Sequence, residues 1–347
     1  MAVLKIDTNK IVENFNKIQK LSKQKNLELV AVTKLFLSEN KIVDLLIKNG
    51  ASVIGDCYYE NLKKIPQNVK RMLLMTRLSD IKKDFSCCDI AFLSELKMIE
   101  EISKLKNSNK IDIILAIDLG DLREGILPKN LINFMEKALK FKNINIIGIG
   151  ANLGCLIGKL WDDKMADILL EASNSVKNKL KFEFQKISVG GTVVYDNIFK
   201  NDIPKEINQV RIGEAIFFGY NMSLQKKIDG LNQNPFVISG EILEIIEKDS
   251  SLPDNLGFTA FGKKSEPCKL GLRKRAILDF GELVAPISTI NPCDEKIKIM
   301  GATHNHIVID ITDDEANFGI GDFVDFHSNY NGIAYTMLSP FVKRIYI

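Results

Sequence analysis

The sequence has few of the residues that mark metal-binding or disulfide-stapled proteins. Three histidines occur in 347 residues, and six cysteines are scattered at positions 57, 87, 88, 155, 268 and 293 without a C-x-x-C spacing. Disulfide frameworks and zinc sites use cysteines at short, recurring spacings. The pattern therefore indicates reduced thiols and favours a cytoplasmic protein with neither a disulfide framework nor a zinc site.

Long apolar runs and a charge excess are also missing. The N-terminal segment has no continuous apolar stretch, so it does not resemble a secretory signal. The most apolar stretch, residues 144–158, is short and interrupted by Gly and Asn, which argues against a membrane span. The net charge is only +3, so neither nucleic acid nor a membrane is the expected partner.

What the sequence does contain is an alternation of short apolar runs with amphipathic segments. The runs read as continuous in Ile, Val and Leu, which is typical of parallel strands covered on both faces. Eight occur, over residues 29–34, 53–56, 71–76, 90–93, 111–120, 144–153, 186–191 and 210–219. Eight strands alternating with helices over ~200–250 residues indicate a (β/α)8 TIM barrel, with an open doubly wound sheet as the alternative.

Helices are predicted between most of these runs. They cover residues 8–25, 38–49, 94–106, 128–142 and 162–181. In the first, Ile11, Phe15 and Ile18 recur on one helical face. Ser38 and Ser94 are predicted as capping residues and Pro128 as an early helix residue, because these residue types favour helix starts.

The pattern changes after residue 220. Shorter runs separated by Gly, Pro and Asp predict antiparallel strands within residues 236–246, 273–282, 297–313 and 321–330. The polar segment 226–234 is the expected boundary. The fold class is therefore α/β, with a barrel over residues 1–230 and a C-terminal β-rich domain over residues 231–347.

Polar side chains follow the ends of the predicted strands, where barrels carry their chemistry. Lys34 follows the first run; an ammonium group at the end of a buried strand is costly unless it is used, and a desolvated lysine forms Schiff bases with carbonyls. A lysine that reaches solvent is the alternative. Arg123 lies in a charged segment after the fifth run, and Asn152 ends the sixth.

The last two strands carry glycine-rich ends. Ser188, Gly190, Gly191 and Thr192 end the seventh run, and Arg211, Gly213 and Glu214 lie in the eighth. Barrels often bind phosphate with the loops after strands seven and eight, where glycine lets backbone N–H groups approach the anion. Ordinary turn glycines are the alternative. His304 and His306 share a strand face but lack a third ligand, so no metal site is predicted.

Seven segments together carry a family resemblance. They are VTK (32–34), DLGDLREG (118–125), GANLGC (150–155), SVGG (188–191), RIGEAIFFG (211–219), LRKRAIL (272–278) and GATHNHIVIDI (301–311). In this order they resemble the alanine racemase family of fold-type III pyridoxal-phosphate (PLP) enzymes, above all its alanine/ornithine racemase branch. The resemblance covers nearly the whole chain. It implies an isomerase, a PLP-dependent amino-acid racemase acting on ornithine or another basic amino acid.

The resemblance also implies roles for single residues. Lys34 matches the lysine that holds the cofactor and acts as one of two acid/base groups, and Arg123 the arginine near the cofactor's phenolic oxygen and the substrate carboxylate. Asn152 falls where many members carry a histidine against the pyridine ring, and Arg211 matches the arginine at the pyridine nitrogen. The phosphate-binding segments contain Ser188, Gly190, Gly191, Thr192, Gly213 and Glu214.

One family feature is missing. The second acid/base group of alanine racemases is a tyrosine from the partner subunit's β domain, in a Gly-Tyr-Ala-Asp-Gly segment, whereas the matching residues 276–283 contain no tyrosine. Tyr335, Tyr330 and His304 are candidates for that role. The resemblance implies a homodimer whose active site is completed by the partner. Carboxylates available to a basic substrate are Asp121, Glu124, Glu214 and Glu282.

Two other functions use the same barrel. A non-catalytic PLP-binding protein of cofactor homeostasis would end after the barrel, so the predicted β domain argues against it. A fold-type III decarboxylase would place a Cys-Asp pair in its β domain, and none is visible. A metal-assisted aldolase would need ligands for which His304 and His306 are the only hint.

Overall fold

The computed structural model describes residues 1–105, 110–201, 203–252, 255–259, 261–262, 264 and 269–347. These residues form two compact units. One comprises Lys10–Gln233, and the other comprises Met1–Asn9 together with Asn234–Ile347. Strands and helices are numbered below in chain order, with strand β1 (Val3–Ile6) belonging to the second unit.

A closed barrel of parallel strands forms the Lys10–Gln233 unit. Its strands are β2 (Glu28–Val32), β3 (Val53–Asp56), β4 (Lys70–Leu73), β5 (Ile90–Leu93), β6 (Ile111–Ala116), β7 (Ile144–Asn152), β8 (Lys186–Gly190) and β9 (Gln209–Ile212). The barrel closes where β9 pairs with β2, with Val210 opposite Leu29. All eight predicted strands are present. Because the sheet closes on itself, the fold is the predicted barrel and not the open doubly wound sheet.

The inside of the barrel is filled by apolar side chains. The buried cluster contains Val30, Val53, Met72, Ile90, Phe92, Ile114, Ala116 and Ile147. Because β2 to β7 each contribute to this cluster, the interior is a packed core and chemistry is left to the ends of the strands.

Helices follow most of the barrel strands. They are α1 (Thr8–Gln24), α2 (Asn40–Lys48), α3 (Tyr59–Leu62), α4 (Leu78–Lys83), α5 (Leu96–Ser103), α6 (Leu131–Ala138), α7 (Asp163–Leu180), α8 (Tyr195–Lys200) and α9 (Glu214–Phe218). Short 3-10 helices cover Lys34–Phe36, Pro128–Asn130, Thr192–Val194 and Met222–Leu224. The predicted helix over 94–106 ends at Ser103, and residue 106 lies outside the described residues.

The two serines predicted as caps do not cap. Ser38 lies one residue before the N-cap of α2, and its hydroxyl donates instead to Asp56 Oδ2 at 2.7 Å. Ser94 lies one residue before the N-cap of α5. Pro128 does begin a 3-10 helix that leads into α6, as its fixed φ favours.

The last predicted barrel strand is too long. The apolar run predicts a strand over residues 210–219, but β9 ends at Ile212 and α9 occupies Glu214–Phe218. Ala215, Ile216, Phe217 and Phe218 of α9 are all buried. A short apolar run buried on every side does not distinguish a strand from a buried helix, which is why the pattern is misleading here.

An antiparallel sheet forms the second unit. Its path runs β14 (Ile290–Pro292), β17 (Phe323–Ser328), β12 (Phe236–Asp249), β13 (Leu272–Leu278), β16 (Ile307–Asp310) and β15 (Lys298–Ala302). Helix α10 (Tyr330–Leu338) and strand β18 (Lys343–Tyr346) follow, and β10 (Tyr220–Asn221) and β11 (Lys226–Lys227) form a hairpin in the first unit. The β-rich C-terminal region is therefore confirmed.

The start of the chain belongs to this sheet. Leu4 in β1 lies opposite Ile238 of β12 in antiparallel pairing and opposite Arg344 of β18 in parallel pairing. Leu4 and Ile6 are fully buried. These two ladders group the first nine residues with the C-terminal unit, whereas the sequence-based division assigns residues 1–230 to the barrel.

No helix in the described ranges is both long enough and apolar enough to cross a membrane. Cys57, Cys87, Cys88, Cys155 and Cys293 are free thiols. Cys268 lies outside the described residues.

Candidate active site

Lys34 lies at the C-terminal end of the first barrel strand. It begins the 3-10 helix that follows β2, and its side chain is half-buried. Within the described residues the Lys34 ammonium group makes neither a hydrogen bond nor an ion pair. It acts electrostatically on the Cys57 thiol and the Glu214 carboxyl group. A half-buried lysine without a partner is available for chemistry at this end of the barrel.

A buried polar network holds the turn that carries Lys34. Thr33 and Ser38 share a hydrogen bond of 2.8 Å between their hydroxyls, and Ser38 donates onward to Asp56 Oδ2 at 2.7 Å. Asp56 Oδ1 accepts from the Tyr58 N–H and from Asn61 Nδ2, both at 3.0 Å. Because Thr33, Ser38 and Asp56 are buried, the network fixes the backbone on either side of Lys34.

The same turn contains two residues in the left-handed region. Leu37 has φ of 53° and Ser38 has φ of 47°. A non-glycine residue costs about 1–3 kcal/mol in a sparsely populated region and stays there only when its surroundings hold it. The hydrogen bonds of the Ser38 side chain stabilise this conformation, so the backbone after Lys34 is fixed in an uncommon region of φ and ψ.

We expect Asp56→Ala to lower the free energy of unfolding by about 3 kcal/mol, because it leaves the buried donors of Ser38 and Asn61 and the part-buried Tyr58 N–H without this acceptor. Urea denaturation followed by circular dichroism measures this loss. Asp44→Ala is the matched control, because Asp44 is exposed on α2 and its replacement changes stability by less than about 0.5 kcal/mol. Equal stability of the two variants would contradict the role given to the network.

Arg211 is a buried cation in barrel strand β9. Its side chain is 3% exposed. Nη2 donates to the Ala151 carbonyl at 2.8 Å and Nη1 to Ser188 Oγ at 2.5 Å, while the guanidinium lies 4.4 Å from the centroid of the Phe92 ring. Burial lowers the pKa of Arg211 to about 10, which leaves it charged at neutral pH. No carboxylate in the described part of the chain lies within ion-pair distance.

Two glycines make room for this guanidinium. A Cβ on Gly190 would lie 2.5 Å from Arg211 Nη2 and 2.8 Å from Cζ. A Cβ on Gly150 would lie 2.6 Å from the Ser188 carbonyl and 3.2 Å from Arg211 Nη1. The glycines of β7 and β8 therefore leave room for the Arg211 guanidinium.

The Ser188 hydroxyl belongs to a series of linked side-chain hydrogen bonds. It accepts from Arg211 and donates to Gln209 Oε1 at 2.6 Å. Gln209 Nε2 in turn donates to Glu28 Oε2 at 2.7 Å, and Glu28 pairs with Lys186 at 3.0 Å. In this arrangement Ser188 positions Arg211, and the sequence-based phosphate role for its hydroxyl has no support from its contacts.

The ends of β8 and β9 are tied together. Thr192 Oγ1 accepts from the Ala215 N–H at 3.0 Å, and the Thr192 carbonyl accepts from Asn221 Nδ2 at 3.1 Å. Gly191 has φ of 104°, and a Cβ there would lie 2.6 Å from the Leu153 carbonyl. We refer to residues 190–192 and 213–215 as the glycine cradle.

Glu214 lies within this cradle. Its Oε1 accepts from the Met222 N–H at 2.5 Å, and the side chain is half-buried. Burial raises the pKa of the Glu214 carboxyl group to about 7, and the Met222 N–H and the Lys34 ammonium oppose this rise. A carboxyl group that titrates near neutral pH therefore lies within electrostatic reach of Lys34.

Arg123 lies in the loop after β6 and forms an ion pair with the adjacent Glu124. This contact raises the pKa of Arg123. Arg123 and Arg211 act on each other electrostatically, as do Arg123 and Cys57. Arg123 in the loop after β6, Lys34 after β2 and Arg211 in β9 thus gather positive charge at one end of the barrel.

The loop after β7 is held by a buried carboxylate. Asp121 is 2% exposed and accepts from the N–H groups of Cys155 at 3.3 Å and Leu156 at 3.2 Å. Asn152 Nδ2 donates to Cys155 Sγ at 3.0 Å. Asn152, half-buried at the end of β7, therefore lies beside an exposed thiol.

Tyr335 and His304 lie in the other compact unit. Tyr335 is on α10 and its side chain is 53% exposed. His304 is exposed in the turn between β15 and β16, with its ring centroid 4.7 Å from that of Phe261. The barrel itself therefore brings together Lys34, Asn152, Arg211 and the glycine cradle, with Arg123 beside them, but neither Tyr335 nor His304.

Sequence reasoning missed three residues of this end of the barrel. Asp56 ends β3 and Cys57 follows it, much as Lys34 follows β2, so the strand-end rule applied to the second run also points to them. Phe92 lies in β5, where the sequence pattern shows only an apolar run. Its contact with Arg211 depends on which way the strand faces.

Comparisons with known proteins agree with this geometry. A model of the alanine racemase N-terminal domain matches residues 6–221. The chain is 31% identical to a lysine racemase of Thermotoga maritima over 99% of its own length and 98% of that protein. It is 29% identical to an ornithine racemase of Acetoanaerobium sticklandii over 98% of both.

Solved structures show the same fold. The alanine racemase of Bartonella henselae has a TM-score of 0.75 at 20% identity, covering 100% of this chain and 99% of that chain. The alanine racemase of Clostridium difficile 630 has a TM-score of 0.76 at 16% identity, covering 100% of this chain and 95% of that chain.

Proposed function

The chain belongs to the alanine racemase family of PLP-dependent isomerases, and we propose that its substrate is ornithine or another basic amino acid. The observation that carries this proposal is the pair of relatives, a lysine racemase and an ornithine racemase, which each match 98% or more of the chain. Both relatives are named for basic amino acids, whereas the solved structures of the family at 16–20% identity are named for alanine.

The residues of the barrel fit PLP. The Arg211 guanidinium is buried without a carboxylate in ion-pair distance among the described residues, which suits an acceptor such as a ring nitrogen. The Lys34 ammonium makes no hydrogen bond or ion pair within the described chain. Gly190 and Gly191 of the cradle carry no Cβ, and one there would clash with the Arg211 guanidinium or with the Leu153 carbonyl, so both positions require glycine. A phosphorylated, aromatic aldehyde suits this set of donors.

Bound PLP would supply an electron-withdrawing ring that stabilises negative charge at the substrate Cα. The chain's own residues would do the rest. Lys34 would bind the cofactor and move a proton at Cα, Arg123 would hold the substrate carboxylate, and the cradle would bind the phosphate group. Arg211 would donate to the ring nitrogen, with Ser188 and the Ala151 carbonyl fixing its orientation.

Racemisation needs a second acid/base group on the opposite face of Cα. We propose that a homodimer supplies it from the partner's C-terminal unit, with Tyr335 and His304 as the candidates. The support is the resemblance to a family with shared active sites, together with the exposure of both side chains. A cytoplasmic location stays a prediction from the scattered free thiols.

Three of the four carboxylates suggested for a basic substrate already have partners. Asp121 holds the loop after β7, Glu124 pairs with Arg123, and Glu214 accepts from Met222. The Glu282 carboxylate makes no hydrogen bond or ion pair with the described residues and is half-buried. Glu282 is therefore the carboxylate best suited to a distal ammonium group.

Incubating the purified holoenzyme with L-ornithine, L-lysine and L-alanine in D2O tests the function. We expect Cα deuterium exchange with loss of optical activity, and kcat/KM at least about tenfold higher for a basic substrate than for alanine, because alanine lacks both the methylenes and the distal ammonium group of a basic side chain. Lys34→Ala serves as the inactive control. Release of carbon dioxide or an aldehyde would indicate a decarboxylase or aldolase, and bound PLP without turnover would indicate a cofactor carrier.

A further inference from the structure

Glu214 is a carboxyl group in the place proposed for the cofactor's phosphate. It lies at the first residue of α9, next to Ala215, whose N–H donates to Thr192. The Glu214 side chain turns toward Met222 and accepts its N–H. An anion next to a bound phosphate is unfavourable unless it is paired or protonated.

Few groups are available to neutralise that carboxylate. Lys34, from the turn after β2, is the charged side chain that acts on it in the described chain, and the segment after α9 contributes only the Met222 N–H. Thr192, from the end of β8, uses its hydroxyl to bind Ala215. Lys34 is also the residue proposed to bind the cofactor, so its positive charge does not serve to neutralise Glu214 alone.

We propose that Glu214 takes up a proton when a phosphate group enters the cradle, so that phosphorylated cofactor binds more weakly above neutral pH. This inference rests on the proposed cofactor site. In the free protein the Glu214 carboxyl group already has a pKa raised to about 7 by burial. A phosphate monoester is a dianion above about pH 7 because its second pKa is near 6. Its charge raises the pKa of Glu214 further.

The direction of the pH effect follows from linkage. A group that binds a proton more tightly in the complex than in the free protein weakens the complex as pH rises above its free-state pKa. For one proton, the limit is a tenfold rise in Kd per pH unit. The effect begins near pH 7 and is absent well below it, where Glu214 is protonated in both states.

Pyridoxine 5′-phosphate is the probe, because it lacks the aldehyde and forms no bond with Lys34. Its Kd is measured by calorimetry from pH 6.5 to 9 for the wild type, Glu214→Gln and Glu214→Asp. Glutamine keeps an oxygen for the Met222 N–H but does not titrate, and Glu214→Asp keeps the titration. Glu206→Gln, at an exposed position, is the matched surface control.

We expect the wild-type Kd to rise about tenfold between pH 7.5 and 9, with uptake of nearly one proton seen in buffers of different ionisation enthalpy. Glu206→Gln and Glu214→Asp should keep this rise, and Glu214→Gln should lose it and bind more tightly at pH 9. Binding with the same slope in Glu214→Gln and wild type would overturn the inference. If the folded wild type does not bind the probe at any pH, the phosphate site fails as well.

Discussion

Lys34→Ala is expected to remove covalently held PLP and to lower racemase activity by at least about 10³-fold, because one group is proposed both to hold the cofactor and to move the Cα proton. The visible absorbance of the purified protein measures the first effect, and deuterium exchange at Cα measures the second. The two losses should occur together. The fold should persist, since the Lys34 ammonium makes no contact within the described residues that stabilises it.

Two controls make this result specific. Lys48→Ala removes an exposed lysine from α2 and should leave both readings unchanged. Lys34→Arg keeps the positive charge but, being always protonated, does not react with the aldehyde, so it should be as inactive as Lys34→Ala. A Lys34→Ala protein that keeps full absorbance and exchange would rule out Lys34 as the cofactor lysine.

Changing Arg211 is expected to alter the course of the reaction. Arginine remains cationic, and a cation that donates to the ring nitrogen keeps that nitrogen unprotonated, which limits the spread of negative charge into the ring. Arg211→Glu would reverse this, so we expect conversion of the cofactor to its amine form to rise by about tenfold relative to racemisation. The absorbance spectrum during turnover measures that conversion.

A glutamate at a position that is 3% exposed also threatens folding, because it would face the Ala151 carbonyl and the Phe92 ring. Arg211→Lys is the companion variant, since it keeps the charge and loses the planar fork. We expect it to racemise without extra transamination, with cofactor affinity lowered by about ten- to a hundredfold, the value of one or two charged hydrogen bonds. Transamination that rises equally in both variants would contradict the role assigned to the charge.

The strand pattern alone determined most of the barrel. Both faces of a parallel strand are covered, so its sequence is apolar at nearly every position, and that local signal located all eight strands. It failed at residues 214–218, where a short helix is buried on every side and has the same composition. It also said nothing about β1, which is stabilised by pairing with β12 and β18, strands more than 200 residues away.

The sequence by itself determined which residues lie at the strand ends, because chain order and strand position place Lys34, Asn152, Arg211 and the cradle at one end of a barrel. Only the tertiary structure decided what these side chains contact. Ser188 holds Arg211, Asp121 holds the loop after β7, and Asp56 holds the turn carrying Lys34. Such hydrogen bonds join residues 18 to 35 positions apart, so they depend on how neighbouring strands of the barrel pair, which no local pattern encodes.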